Sequence, residues 1–136
     1  MTDATPFLMF EGRTEEALDF YVATIPESRI EHVDRYGAGE PGPEGSVRLA
    51  RAMVAGLPIL ASDSFVHHAF TFTPSISFML TCKDEDEVEH LAAALSEGGG
   101  VLMPPGNYGF SRKFAWVNDR FGVSWQVNLP WPIPSS

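Results

Sequence analysis

One cysteine, Cys82, stands among 136 residues. No internal disulfide can form, and a metal centre built from several thiolates is excluded. Basic residues are scarce as well: nine lysines and arginines face eighteen acidic residues, a formal net charge of −9. Arg112-Lys113 is the only adjacent basic pair, so the chain should repel phosphates, and neither nucleic acid nor an anionic membrane is an expected partner. No run approaches the ~20 apolar residues that cross a bilayer. The opening MTDATPF lacks the basic-then-apolar pattern of a signal peptide. These absences predict a soluble cytoplasmic protein. A content of 44% hydrophobic residues is enough for one compact domain over 1–136.

What the chain does have is a repeat. PFLMF (6–10) reads as a strand, and Thr14 with Glu15-Glu16 opens a helix. Leu18, Tyr21, Val22 and Ile25 recur at helical spacing until Pro26 stops them. Seventy residues on, SISFMLT (75–81) alternates, and Asp84 with Glu87 forms a capping signal. Val88, Leu91, Ala92 and Leu95 make the second stripe, closed by Gly98-Gly99-Gly100. Leu8 answers Phe78, and Leu18 answers Val88. Three extended segments follow each helix: 29–36, 46–54 and 57–62, then 101–103, 112–118 and 123–129. The fold class is α+β, two tandem β-α-β-β-β units: repeat one about 5–63, a linker about 64–74, repeat two about 75–129, and a Pro-rich tail 130–136.

The motifs PFLMFEG, EEALDFY, RYG with PGPEGS, FTPSISF, LSEGG, LMPPGNYGFS and FAWVNDRFGVSWQ span nearly the whole chain. They resemble the PhnB-like group, also labelled 3-demethylubiquinone-9 3-methyltransferase-like, of the vicinal oxygen chelate superfamily of glyoxalases, bleomycin-resistance proteins and extradiol dioxygenases. The resemblance implies a curved, cup-like mixed sheet with the helices outside, and pairing of protomers into a homodimer. The methyltransferase label does not carry a methyl-donor site with it. Such a site needs alternating β-α units and a Gly-rich strand-to-helix turn, and the Gly-rich stretches here lie elsewhere.

In metal-dependent relatives four positions supply His, Glu or Gln to one ion. The resemblance places these slots at Pro6, near Leu60 to Ser62, at Ser75 and at Gln126. Proline offers no ligand, serine is a poor one, and a lone amide oxygen binds weakly, so no metal and no cofactor is expected. Asp63 lies just beyond the second slot, and His67-His68 precedes the fifth strand. Neighbouring residues of an extended segment point apart, which argues against one ion shared by both imidazoles. His68 hydrogen-bonding within the linker is the plainer expectation. Cys82 beside Lys83 is a candidate for a slightly lowered thiol pKa.

Alternation sorts the remaining candidates. Ser75, Ser77 and Thr81 should face the cup, with Ile76, Phe78 and Leu80 under the helices. Ser124, Gln126 and Asn128 share the cup face, opposite Val123, Trp125, Val127 and Leu129. A four-residue hairpin at 119–122 would set Trp116 against Trp125 in the core and Ala115 against Gln126. Lys113 would then be the one cation of the cup. Leu8 and Phe10, on the Pro6 face, would supply a greasy wall. Tyr108 is either a lid or part of a plain Gly/Pro connector. Three readings follow: a metal-free protein that binds or transforms a small molecule, a metal-dependent lyase, isomerase or oxygenase, and a non-catalytic sequestering protein. The residues name no catalytic group.

Overall fold

The computed structural model describes residues 2–132, so the end of the Pro-rich tail lies outside the described residues. The chain divides into two compact units, Met1–Ala69 and Phe70–Ser136, with the boundary inside the stretch read as a linker. Among the described residues no helix is long and apolar enough to cross a membrane.

The first unit runs β1 (Phe7–Phe10), α1 (Thr14–Thr24), β2 (Arg29–Arg35), β3 (Val47–Val54) and β4 (Leu57–Asp63). Its sheet has the order β1-β4-β3-β2, with β1 and β4 parallel and the other pairs antiparallel. Of the expected stripe, Leu18, Tyr21 and Ile25 are buried and Val22 is exposed, while Ala17 joins the buried face. α1 ends where Ile25 N–H bonds the Tyr21 carbonyl and Pro26 prevents another turn. The β3–β4 turn places both Ala55 (φ 50°) and Gly56 (φ 80°) in the left-handed region, the hand that matches strand twist.

The loop between β2 and β3 is fastened from within. Arg48 joins Asp34 and Glu40, and its guanidinium lies 5.6 Å from the centre of the Tyr36 ring. Gly42 packs under the same ring, where a Cβ would come within 2.5 Å of it. The RYG and PGPEGS motifs are thus explained by packing.

The second unit repeats the order with β5 (Phe78–Thr81), α2 (Glu85–Ser96), β6 (Gly100–Gly106), β7 (Lys113–Asn118) and β8 (Ser124–Leu129), in the sheet order β5-β8-β7-β6. The architecture is α+β: two mixed four-stranded sheets, each with one helix. β5 begins three residues later than its alternation suggested. Ser75 and Ile76 lie in the preceding turn, where Ile76 N–H bonds the Thr73 carbonyl, and Ile76 is exposed instead of buried. β6 runs on through Pro104 and Pro105, which had read as loop. It is an edge strand with two register shifts, and there missing N–H groups cost little.

Candidate functional site

In β8, Trp125, Val127 and Leu129 are buried, and β5 sets Phe78 beside Trp125 and Leu80 beside Val127. Residues paired across neighbouring strands point to the same side. The β7–β8 register pairs Ala115 with Val127, Val117 with Trp125, and Lys113 with Leu129. Lys113 Nζ reaches Glu89 of α2 at 2.6 Å, which identifies this as the helix side. Lys113 therefore lies on the helix side, contrary to its expected place as the cation of the cup. Its ammonium is tied to Glu89 and more distantly to Glu85, and the Glu89 hydrogen bond holds its pKa above the ordinary lysine range.

The cause is one residue of loop. Asn118 pairs with Ser124 and not with Val123, so five residues, Asp119 to Val123, connect the strands. Asp119 organises that loop. Its Oδ1 accepts from the N–H groups of Phe121 and Val123, and its Oδ2 from Trp125 Nε1 at 2.8 Å. Gly99 makes room for it, since a Cβ there would lie 2.1 Å from the Asn118 carbonyl oxygen.

The longer loop turns Trp116 away from Trp125 and sets it opposite Gln126 on the helix-free face. Trp125 is the buried tryptophan, and Trp116 is half-buried. Trp116 Nε1–H donates to Ser124 Oγ at 2.8 Å, and Ser77 Oγ lies 2.6 Å from Ser124 Oγ. Ser77 donates to the Pro74 carbonyl, so the Ser124 hydroxyl donates to Ser77, and the chain of donors is complete. The Gln126 side chain makes no hydrogen bond to any described residue. In the rows on either side of it, the Oδ1 atoms of Asn118 and Asn128 are buried without a partner. Ser77, Ser124, Gln126 and Asn128 therefore do come together, joined by Trp116 and Asn118. Ser75 stands apart, exposed in the turn before β5 and bonded to Thr73.

At the Asn128 end of this face sits Phe114, paired with Asn128 and covered by aromatic rings. Phe110 meets it edge-on at 4.9 Å and Tyr108 at 6.3 Å, and the two rings of Tyr108 and Phe110 stack on each other. Tyr108 O–H also donates to the Pro104 carbonyl at 2.5 Å. The Tyr108 loop is held as part of an aromatic wall, and not as a bare connector.

In the first unit, Asp63 decides the faces. Its Oδ1 accepts from the N–H groups of Gly12 (3.1 Å) and Thr14 (2.9 Å), at the start of α1, and its Oδ2 accepts from Val47 N–H at 3.0 Å. Asp63 is thus fully used and cannot swing toward a ligand slot. Phe10 pairs with Asp63 and Leu8 with Ala61, so both point to the α1 side and are buried there. They do not line the opposite face, which takes Phe7, Met9, Leu60 and Ser62 instead. An open depression of about 410 Å³ next to Asp63 is bordered by Glu11, Phe65 and His67. The Glu11 carboxyl accepts from His68 N–H, which holds it below the usual carboxylate range. His68 Nε2 is 2.8 Å from Ser64 Oγ, while His67 is exposed with Nδ1 3.5 Å from Glu11. Among the described residues no three His, Cys, Asp or Glu side chains gather as a metal site.

Cys82 is buried, and desolvation followed by the charge of Glu87 pushes its thiol up to about 12. The neighbouring Lys83 does not activate it, and no nucleophile is offered there.

A family model described as 3-demethylubiquinone-9 3-methyltransferase matches residues 2–128. A solved structure described as a putative 3-demethylubiquinone-9 3-methyltransferase, PhnB protein, from Bacillus cereus is 44% identical, covering 94% of this chain and 99% of its own, with a TM-score of 0.89. Protein PA1353 from Pseudomonas aeruginosa is 30% identical over 96% of this chain and 98% of its own, at a TM-score of 0.80. A glyoxylase/bleomycin resistance protein/dioxygenase domain from Frankia sp. EAN1pec shares the fold at 11% identity, with 96% and 98% coverage and a TM-score of 0.65. The chain belongs to the PhnB-like, 3-demethylubiquinone-9 3-methyltransferase family, with the glyoxalase-like fold.

Proposed function

We propose that the protein binds a small molecule, without a metal ion, on the helix-free face of its second unit. The observation that carries this reading is the Trp116–Gln126 row. It pairs a half-buried indole, its N–H already occupied, with a free carboxamide, and two unpaired carboxamide oxygens flank it. Sites for small molecules combine apolar walls with a few directed polar groups, and this face has that composition. The metal-free part rests on the donor set. Gln126 has no acid or imidazole beside it, and Asp63, the one carboxylate near the second slot, is used by three backbone N–H groups. A methyl-donor site is not part of the reading, since neither unit has the Gly-rich strand-to-helix turn that such a site uses.

Whether the ligand is held or converted depends on a general acid or base, and the face itself supplies none. A sequestering role fits a neutral wall at least as well as turnover does. A second copy of the chain is proposed to pair with one of the strands that end a sheet, β1, β2, β5 or β6, because open edges invite pairing. A monomeric mass by light scattering at micromolar concentration would count against that dimer. Cytoplasmic residence is proposed from the lone reduced thiol and the acidic composition; cell fractionation tests it.

Two measurements test the main reading. Elemental analysis after dialysis should find no stoichiometric zinc, nickel, manganese or iron, and one equivalent would overturn the metal-free part. In a thermal-shift screen, compounds that raise Tm in the wild type should lose that effect in Gln126→Leu. Equal shifts in both proteins would place the ligand elsewhere.

A further inference from the structure

We infer, resting on the reading just given, that the ligand of the Gln126 face is an uncharged planar aromatic molecule bearing a hydrogen-bond acceptor, of the class of neutral phenols and lactam heterocycles. The first argument is charge. The rows Asn118–Ser124, Trp116–Gln126 and Phe114–Asn128 contain no ionisable side chain, and Lys113 is turned to the other side, where Glu89 holds it. An ionic ligand brought onto this face would lose water and gain no counter-ion, which is costly.

The second argument is shape. Ser124 takes the Trp116 N–H and passes its own hydroxyl to Ser77, so the indole plane is fixed before any ligand arrives. Trp116 has no stacking partner among the described residues, while Phe114 nearby already belongs to an aromatic cluster. A fixed, unstacked indole favours a flat ring placed against it, in offset or edge-on geometry.

The third argument is hydrogen-bond polarity. Asn118 Oδ1 and Asn128 Oδ1 are buried out of reach, so the end of each amide that a ligand can meet is its N–H2 group, which donates. Gln126 can both donate and accept. The face therefore presents more donors than acceptors, and its ligand must supply an acceptor.

The test uses the wild-type chain, labelled with nitrogen-15, and four aromatic probes at pH 7: phenol, toluene, benzoate and benzylammonium. Phenol should shift the Trp116 indole N–H and the Gln126 and Asn128 side-chain amides in a saturable manner. Benzoate and benzylammonium should bind on the order of tenfold more weakly or worse. Toluene, which has the ring but no acceptor, should also bind more weakly than phenol. Gln126→Glu should shift the preference toward benzylammonium. Charged probes that bind as well as phenol would overturn the inference while leaving the face as a binding site. Toluene equal to phenol would overturn the acceptor requirement. If none of the four moves these resonances, the proposed binding face itself fails.

Discussion

The two units share their element order and sheet order yet start their helices by opposite means. In the second, the signal is local: Asp84 accepts from Glu87 N–H at 2.8 Å, and Glu87 reaches back to Lys83 N–H at 3.0 Å. In the first, Arg13 gives no side-chain cap, and the N–H groups of Gly12 and Thr14 are met by Asp63, about fifty positions away at the end of β4. A local cap steadies one helix. A distant one ties helix, β4 and the start of β3 into one hydrogen-bonded knot, since Val47 N–H also ends on Asp63. The same side-chain type holds a helix end in one unit and the middle of a fold in the other.

The largest effect should come from breaking the tryptophan contrast in the second unit. Trp125→Ala removes a fully buried ring and leaves Asp119 Oδ2 without its partner, so a loss of ~3–5 kcal/mol is expected in urea unfolding. Trp116→Ala, on the open face, should cost clearly less. Equal costs would mean that the two rings share one environment.

Next comes the pair of caps. Asp63→Ala should cost ~2–4 kcal/mol, because it strands backbone donors that are buried or nearly so. Asp84→Ala should cost ~1 kcal/mol, the ordinary value of an N-cap. Denaturant midpoints of the two variants decide the order, and a reversal would contradict the knot.

A smaller effect should appear with pH at Cys82. Its folded pKa is raised from the ordinary 9.0 to about 12, so the neutral thiol contributes stability that is complete below pH 9 and lost as pH rises toward 12. The wild type should therefore weaken relative to Cys82→Ala between pH 8.5 and 10.5, on the order of this interval set by linkage. A constant gap between the two would mean that the thiol titrates normally.

The smallest expected effect is a null one. Gln126→Glu should keep the fold and bind nickel or zinc no better than the wild type in isothermal titration, since no neighbouring side chain adds a second good ligand. Micromolar binding from that single change would show that the other ligands were present.

Most of the fold was legible in the sequence, because the helix stripes and the seventy-residue repeat are strong periodic signals. The faces were legible only where alternation was sharp. SWQVNL alternates polar and apolar, and Ser124, Gln126 and Asn128 lie together as expected. FLMF and FAWV are apolar at every position, so a period of two carries no information there. These are the two stretches whose faces came out reversed, carrying Leu8 and Phe10 to the α1 side and Trp116 to the open one. The role of Asp63 was hidden for a different reason: its partners are backbone groups distant in the chain, and no spacing rule announces them.

The five-residue loop from Asp119 to Val123 has a consequence that is arithmetic in kind. Across a hairpin, an odd loop matches even-numbered residues with even ones, and an even loop matches even with odd. The make-up of the second unit's open face is thus a matter of parity, fixed by a count and not by any residue on the face. Closing the same sequence with a four-residue loop, Asn118 against Val123, would exchange indole for alanine beside Gln126 and bring the lysine round with it, without altering a single side chain in either strand. A slip of one residue in the pairing is all that separates a neutral aromatic wall from a small cationic one, and the length of the loop has to be counted before the wall is named.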